Sequence, residues 1–376
     1  MRIWGCTGHY VQGPDVLKKV RSYVEIYGKK AFYITDSFLE PKIRPLVEAG
    51  YDDPSQVVMA AFNGEISREN IEVFLNENQV KEDVDVVVGI GGGKVIDTAK
   101  VVARRQKSAL VICPTTAATD APVSAMSILY SPKGEMNEIM IHKKNPDLVL
   151  VDSRVILDAP IRFLVSGLGD AMSTYYEGIS NEKTGHGNYV WCDSENGTST
   201  IAGRAIARTC LDTIYQDGKR ALIAASKGEL TSQFENVLEA NILLSGIGFE
   251  NVGCSIAHAI GNAFTAIPEG EKMMHGERVG FGTLCLLVAE EYSQKEIEKA
   301  YSFCISTGLP VTLEELGIPD IDQALQRIAQ ASLTAESWQA TVYEATKESI
   351  VQLIRTTSAL GEYYTKSLQI SEILQH

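Results

Sequence analysis

The sequence is poor in histidine, with six in 376 residues, and it has no C-x-x-C pair, no basic run and no long apolar stretch. Each shortage excludes something. The seven cysteines, Cys6, Cys113, Cys192, Cys210, Cys254, Cys285 and Cys304, are odd in number and scattered. That spread fits reduced thiols in a cytoplasm and not a disulfide framework. With a net charge of −14 and no cluster of lysine or arginine, no nucleic-acid or anionic-membrane partner is expected. No apolar stretch approaches the roughly 20 residues that span a bilayer. The opening "MRIWGCTGHYVQG" has no apolar leader core. The reading is a cytoplasmic protein.

What remains is an ordinary globular composition, 45% hydrophobic, long enough for two domains. In the first part, strand-like runs alternate with helical segments. "KAFYITD", "QVVMAAF", "DVVVGI", "ALVICPT" and "DLVLVD" read as strands, and "GPDVLKKVRSYVEIYG" and "SRENIEVFLNENQ" as helices. Apolar strands separated by helices imply a parallel sheet covered on both faces. A hairpin is expected within Ser127 to Asp152, turning at Ser131 to Gly134. Beyond about Asp158 the pattern becomes helical, as in "AGRAIARTCLDTIYQDGKRAL", "SQFENVLEANILLSGIGFE" and Ser337 to Gln375. The expected fold is an α/β Rossmann-like nucleotide-binding domain, residues 1–160, followed by an all-α domain, residues 161–376. The cleft between them is the default site.

Within "DVVVGIGGGKVIDTAK", Gly91, Gly92 and Gly93 join a buried-type strand to a helix. Glycines let backbone approach an anion, and a helix N-terminus supplies unpaired N–H groups. The spelling is not a P-loop, because Val95 stands where a hydroxyl is needed after Lys94. It is not the usual dinucleotide fingerprint either, because the acidic ribose ligand should follow the glycines by about 20 residues. The best acid here, Asp36, precedes them. A glycine triplet also makes a tight turn, and Asp36 alone also suits a cap. Together they suggest a dinucleotide with its ribose at Asp36 and its pyrophosphate at Gly91 to Lys94. An acid at the ribose favours NAD over NADP. The hydroxyl-rich loop "CPTTAATDAPVSAMSILY" offers Thr115, Thr116 and Thr119 to ribose or nicotinamide, while Asp120, read alone, is a turn former.

His9, His142, His186 and His376 have no notable partners and read as surface or structural residues. His258 and His275 lie in apolar, glycine-flanked segments, 17 residues apart, too far to share a helix face. A helix, a loop and a second helix would bring them together, with Asp170, at the start of an expected helix, as third ligand. Catalytic zinc takes three protein ligands and keeps one position open. Spacing alone favours satisfied core histidines over a metal site.

The segments "GIGGGKVIDTAK", "PTTAATDAP", "SGLGDAMSTYYEG", "GFENVGCSIAHAIGNAFT" and "HGERVGFGTL" occur in the order and near the spacing of one known family. From Gly8 to about Leu316 the chain resembles the glycerol dehydrogenase branch of the iron-containing alcohol dehydrogenases. The last 50 or so residues match less clearly and lack that family's glycine-rich ending. The resemblance implies a dehydroquinate-synthase-like fold, NAD, and a divalent metal held by Asp170, His258 and His275. Four-ligand iron sites in the family carry a further histidine one turn after the aspartate. Here that position is Thr174, which points to the three-ligand, zinc-type variant over Fe²⁺. The cofactor positions implied are Asp36, Gly93, Lys94, Val95, Ile96, Asp97, Thr115, Thr116, Ala117, Ala118, Ser124, Met126 and Tyr130. Asp120 is implied at the substrate hydroxyl and Phe249 in the pocket wall. A homo-oligomer, up to an octamer, is implied as well. One departure concerns Gly261, where glycerol dehydrogenases commonly carry a second histidine.

The expected reaction is hydride transfer between NAD and a small secondary alcohol, glycerol or a related vicinal diol. A 2-hydroxy acid, with Arg278 as the nearby cation, or a cyclitol-like alcohol are the alternatives on this scaffold. A dehydroquinate-synthase-like lyase would need a Lys/Arg phosphate cluster that these segments do not show. A nucleotide-binding regulator with a degenerate site would not be expected to keep all three ligand types.

Overall fold

The computed structural model describes residues 1–78, 80, 84–131 and 136–373. Among the described residues there are eight strands: β1 His9–Gly13, β2 Ala31–Thr35, β3 Val58–Ala61, β4 Val86–Gly91, β5 Ala109–Pro114, β6 Met126–Tyr130, β7 Met136–Ile141 and β8 Leu148–Asp152. Helices α1 Val20–Val24, α2 Glu40–Glu48, α3 Arg68–Glu77 and α4 Gly93–Gln106 alternate with the strands. Six strands form one parallel sheet in the order β1-β8-β5-β4-β2-β3, and β6 and β7 form a separate antiparallel pair. The hairpin turn expected at Ser131 to Gly134 lies, past Ser131, outside the described residues.

The sheet is buried on both faces, as its apolar runs require. Val86, Val88 and Ile90 of β4 pack with Leu17, Val20 and Ile43 on one side. The intervening Val87 joins a second core that runs on into the helical part, through Leu168, Ile214 and Phe281. This period-two division places β4 at the centre of the molecule. Edge strand β1 was not anticipated. "HYVQG" has no continuous apolar run, and it takes its extended form from register with β8, His9 opposite Leu148.

After β8 every described element is helical: α5 Ser153–Leu157, α6 Ile161–Thr184, α7 Ile201–Ser226, α8 Ser232–Glu239, α9 Ser245–Val252, α10 Ile256–Ala263, α11 Pro268–Glu271, α12 His275–Ala289, α13 Gln294–Thr307, α14 Asp322–Ser332 and α15 Lys347–Ile373. A π-helical turn, Ala240–Leu244, links α8 to α9. Helices α6, α10 and α12 form the packed centre of this part. A Cβ on Gly276 would meet the Ser166 carbonyl, so only glycine lets α12 lie this close to α6. No helix among the described residues is long and apolar enough to cross a membrane.

The first residues of the chain belong with the helical part. Gly5 N donates to Asn251 Oδ1 at 3.0 Å, and Asn251 Nδ2 donates to Gly5 O at 2.7 Å. Thr198 N donates to Met1 O at 2.7 Å, and Arg2 bridges to Thr198. The chain crosses to the sheet at Thr7, whose hydroxyl donates to Pro146 O at 2.8 Å. It returns through α5, where Asp152 accepts from Leu17 N at 3.0 Å and caps Arg154 N at 3.1 Å.

Candidate active site

Asp170, His258 and His275, taken from three separate stretches of sequence, meet where α6, α10 and α12 converge. Their ligand atoms all lie within 4.8 Å of one another. Asp170 Oδ1 is 3.2 Å from His275 Nε2 and 3.7 Å from His258 Nε2, and the two rings are 5.4 Å apart. Asp170 does not begin a helix, as the sequence suggested. It sits inside α6, because nothing between Ile161 and Asp170 breaks the helix and its glycines there permit close packing.

The residues fit a metal. Two donors about 2.1 Å from a tetrahedral zinc lie about 3.4 Å apart, close to the spacings found. Asp170 Oδ1 is buried and has no hydrogen-bond partner, the condition of an acceptor awaiting a cation. Among the described residues no fourth ligand joins the three. Thr174, one turn further on α6, is 3.3 Å from the Ser245 hydroxyl instead.

His258 is oriented from behind. Glu177, two turns after Asp170 on α6, places Oε2 at 2.7 Å from His258 Nδ1. With Nδ1–H held there, the Nε2 lone pair faces Asp170. Phe249 lies nearly parallel to the His258 ring, with centroids 6.4 Å apart, and Tyr189 packs on Phe249 at 5.4 Å.

Asp120 lies beside this cluster. Its backbone N–H donates to Asp170 Oδ2 at 3.3 Å, and its carboxylate accepts from the Ser245 hydroxyl at 3.3 Å. Burial, and then the Asp170 charge, push the Asp120 carboxyl well above the usual carboxylate range. Burial acts on Asp170 in the same direction, but His275, His258 and the Asp120 amide together hold it below its ordinary value. A divalent cation held by Asp170 and the two histidines would add positive charge beside both carboxyls.

Of the residues expected at a nucleotide, Asp36 and Gly91 to Gly93 lie at the carboxyl ends of β2 and β4, where the sheet order reverses. These strands are neighbours, with Ile34 opposite Gly89, so Asp36 and Gly91 lie two residues past a paired position. This adjacency explains why the acid precedes the glycines in sequence. Gly91 has a packing reason, since a Cβ there would come within 2.6 Å of Val95. Gly92 and Gly93 face open space and do not have positive φ, so neither crowding nor backbone conformation requires them. Gly92 caps α4 without a side chain, leaving the first amides of the helix without acceptors. Thr35 and Thr115, at the ends of β2 and β5, each carry a buried hydroxyl without a partner. The cradle therefore fits the pyrophosphate and ribose of a dinucleotide.

The other expected cofactor residues divide by what they already touch. Asp36 Oδ1 accepts from Leu39 N at 2.8 Å, so the acid is also a turn cap. Lys94 pairs with Glu65 at 2.6 Å. Val95 and Ile96 are buried against the sheet, and reach the cleft only through their backbone. Asp97 is occupied: Oδ2 accepts from Ile128 N at 3.0 Å and Oδ1 faces Lys100 Nζ at 3.2 Å. Ala117 and Ala118 give their carbonyls to Asn241 and Ser166. Thr116 and Tyr130 are half-buried beside them. Lys100, which the sequence did not single out, also donates to Ala121 O at 2.8 Å and Met126 O at 2.6 Å, and reaches Ser124 Oγ at 3.3 Å. One buried lysine thus organises the loop that carries Ser124 and Met126.

Cavities of about 360 and 520 Å³ open over residues 143–147 and contain none of the three clustered ligands. The chemistry, not the cavity volume, locates the site.

Known proteins resemble this chain over nearly its whole length. Residues 7–153 match the model of the iron-containing alcohol dehydrogenases. The chain is 39% identical to a glycerol dehydrogenase of Citrobacter freundii, covering 94% of this chain and 96% of that one. It is 37% identical to a glycolaldehyde reductase of Halobacterium salinarum, over 94% of this chain and 96% of that one. The crystal structure of glycerol dehydrogenase from Schizosaccharomyces pombe superposes with a TM-score of 0.91 at 34% identity, over 98% of this chain and 93% of the other. The chain belongs to the glycerol dehydrogenase branch of the iron-containing alcohol dehydrogenase family, and is an NAD-dependent alcohol dehydrogenase.

Proposed function

We propose that the protein oxidises glycerol, or a closely related vicinal diol, at its secondary hydroxyl, passing hydride to NAD. The observation that carries this reading is the convergence of Asp170, His258 and His275 beside the open glycine cradle. In the proposal these three residues hold the metal, zinc in preference to iron because Thr174 supplies no fourth ligand. When bound, zinc would act as a Lewis acid that lowers the pKa of a substrate hydroxyl. Glu177 fixes the His258 tautomer, and Ser245 holds the Asp120 carboxyl, which orients a second hydroxyl of the diol. Phe249 forms the apolar wall. The α4 amides take the pyrophosphate, Asp36 takes the adenosine ribose, and Thr115 and Thr116 with the Ser124 to Tyr130 segment take the nicotinamide half. The reading extends to a homo-oligomer in the cytoplasm.

The test is a substrate panel of glycerol, 1,2-propanediol, glycolaldehyde, dihydroxyacetone, 2-hydroxybutyrate and a cyclitol. Each is assayed with NAD(H) and NADP(H), in the oxidation state that it supplies, before and after chelation. Turnover of the diols with NAD, lost on chelation and restored by zinc, is expected. Absence of turnover with the zinc-loaded protein would overturn the proposal.

A further inference from the structure

Arg278 lies one turn after His275 on α12. Its Nε and Nη1 atoms are buried, and neither has a hydrogen-bond partner. The nearest acid in sequence, Glu277, is already taken: both of its oxygens accept from Arg162, at 2.6 and 2.7 Å, and one also accepts from Met274 N at 2.9 Å. Burial depresses the basicity of the Arg278 guanidinium, against the smaller opposing pull of Tyr130, Glu277 and Glu271. Arg278 thus stands on the same helix as the candidate ligand His275, one turn further along.

A guanidinium with two unpaired buried donors is costly, and structures keep such groups where an anion completes them. Its planar fork matches a phosphate or a carboxylate. We propose that Arg278 binds an anionic oxygen in the cleft, carried by the cofactor's pyrophosphate or by a carboxylate on the substrate. This rests on the dehydrogenase reading above. Where the anion is the pyrophosphate, Arg278 would hold it together with the α4 amides.

The experiment compares zinc-loaded wild type with Arg278→Met and Arg278→Lys. Dissociation constants for NADH are read by fluorescence and for ADP-ribose by calorimetry, kcat/KM is measured for glycerol and 2-hydroxybutyrate, and Tm without ligand is recorded. If the anion is the pyrophosphate, Arg278→Met weakens NADH and ADP-ribose by at least about tenfold. If it is a substrate carboxylate, kcat/KM for 2-hydroxybutyrate falls by a similar factor relative to glycerol, with NADH affinity held. In either case the Tm without ligand stays level or rises, since no internal partner is lost, and Arg278→Lys restores only part of the function. Unchanged affinities and rate ratios would overturn the proposal. So would a variant that unfolds or loses Tm, because the guanidinium would then have a structural partner. A wild type that binds neither NADH nor ADP-ribose would count against the dehydrogenase reading instead.

Discussion

Glu177 Oε2 lies 2.7 Å from His258 Nδ1, while Glu177 Oε1 accepts the backbone N–H groups of Ser255 and His258, at 2.7 and 3.0 Å. One carboxylate therefore caps the start of α10 and sets the ring that α10 presents. Glu177→Gln should weaken zinc binding by roughly 10- to 100-fold, the usual cost of losing such a partner. Its amide would also set N–H against N–H. Chelator competition and metal content measure the effect, and Glu177→Asp should recover part of it. An unchanged zinc affinity in Glu177→Gln would remove Glu177 from this positioning role.

Asp36 combines a charge with a cap, and the two can be separated. Asp36→Ser keeps a side-chain oxygen for the Leu39 amide while removing the negative charge that repels a 2′-phosphate. The ratio of kcat/KM for NADP to that for NAD should rise, with little change in Tm. A constant ratio would show that the ribose does not meet Asp36.

Gly261 lies in α10, where the family resemblance implied a histidine. In this chain a Cβ at that position would lie 2.9 Å from Val279 Cα and 3.0 Å from Val279 N, both backbone atoms of α12. Gly261→Ala in a helix would ordinarily gain up to about 1 kcal/mol. Here overpacking should outweigh that gain, giving a net loss of about 1–2 kcal/mol. Gly261→His should be worse. Urea midpoints decide it, and a stabilised Gly261→Ala would contradict the packing described.

His142 is buried, and its Nε2 lies 2.8 Å from the Ser127 hydroxyl. Burial, then the charges of Lys100 and Arg104, push its pKa down to about 3. An unfolded histidine titrates near 6.5. Between these values the unfolded chain binds the extra proton, so stability falls as the pH drops below about 6.5 and continues to fall toward about 3. Near pH 5 the loss from this residue should be on the order of 2 kcal/mol relative to pH 7. The stability difference between wild type and His142→Gln, followed across pH 4.5–8 by denaturant unfolding, should track this slope. A difference that does not vary with pH would show that the ring is not held neutral.

The central strands were legible because burial on both faces demands continuous β-branched runs, as in "DVVVGI". Strand β1 was not, since an edge position asks for no such run. The glycine triplet was legible as an anion turn, but only coordinates separate Gly91, fixed by Val95, from Gly92 and Gly93, which nothing in the fold requires. The ligands Asp170, His258 and His275 became legible together through their motifs, since 17 residues between two histidines has no period of its own. Glu177, Ser245 and Lys100 escaped because polar residues in apolar helices look alike until their partners are known. A usable signal was present for Glu177. It falls seven residues after Asp170, two turns on, and so on the same buried side of α6.

The attachment of residues 1–5 to the helical part has a mechanical consequence. The backbone passes between the two parts twice, once at Thr7, bonded to Pro146 just before β8, and once after Asp152, which ends β8 and accepts from Leu17 N. The core that Val87 joins also continues into the helical part. These crossings therefore reinforce one shared interior, and the Asn251 pair with Gly5 ties the first residues of the chain to it.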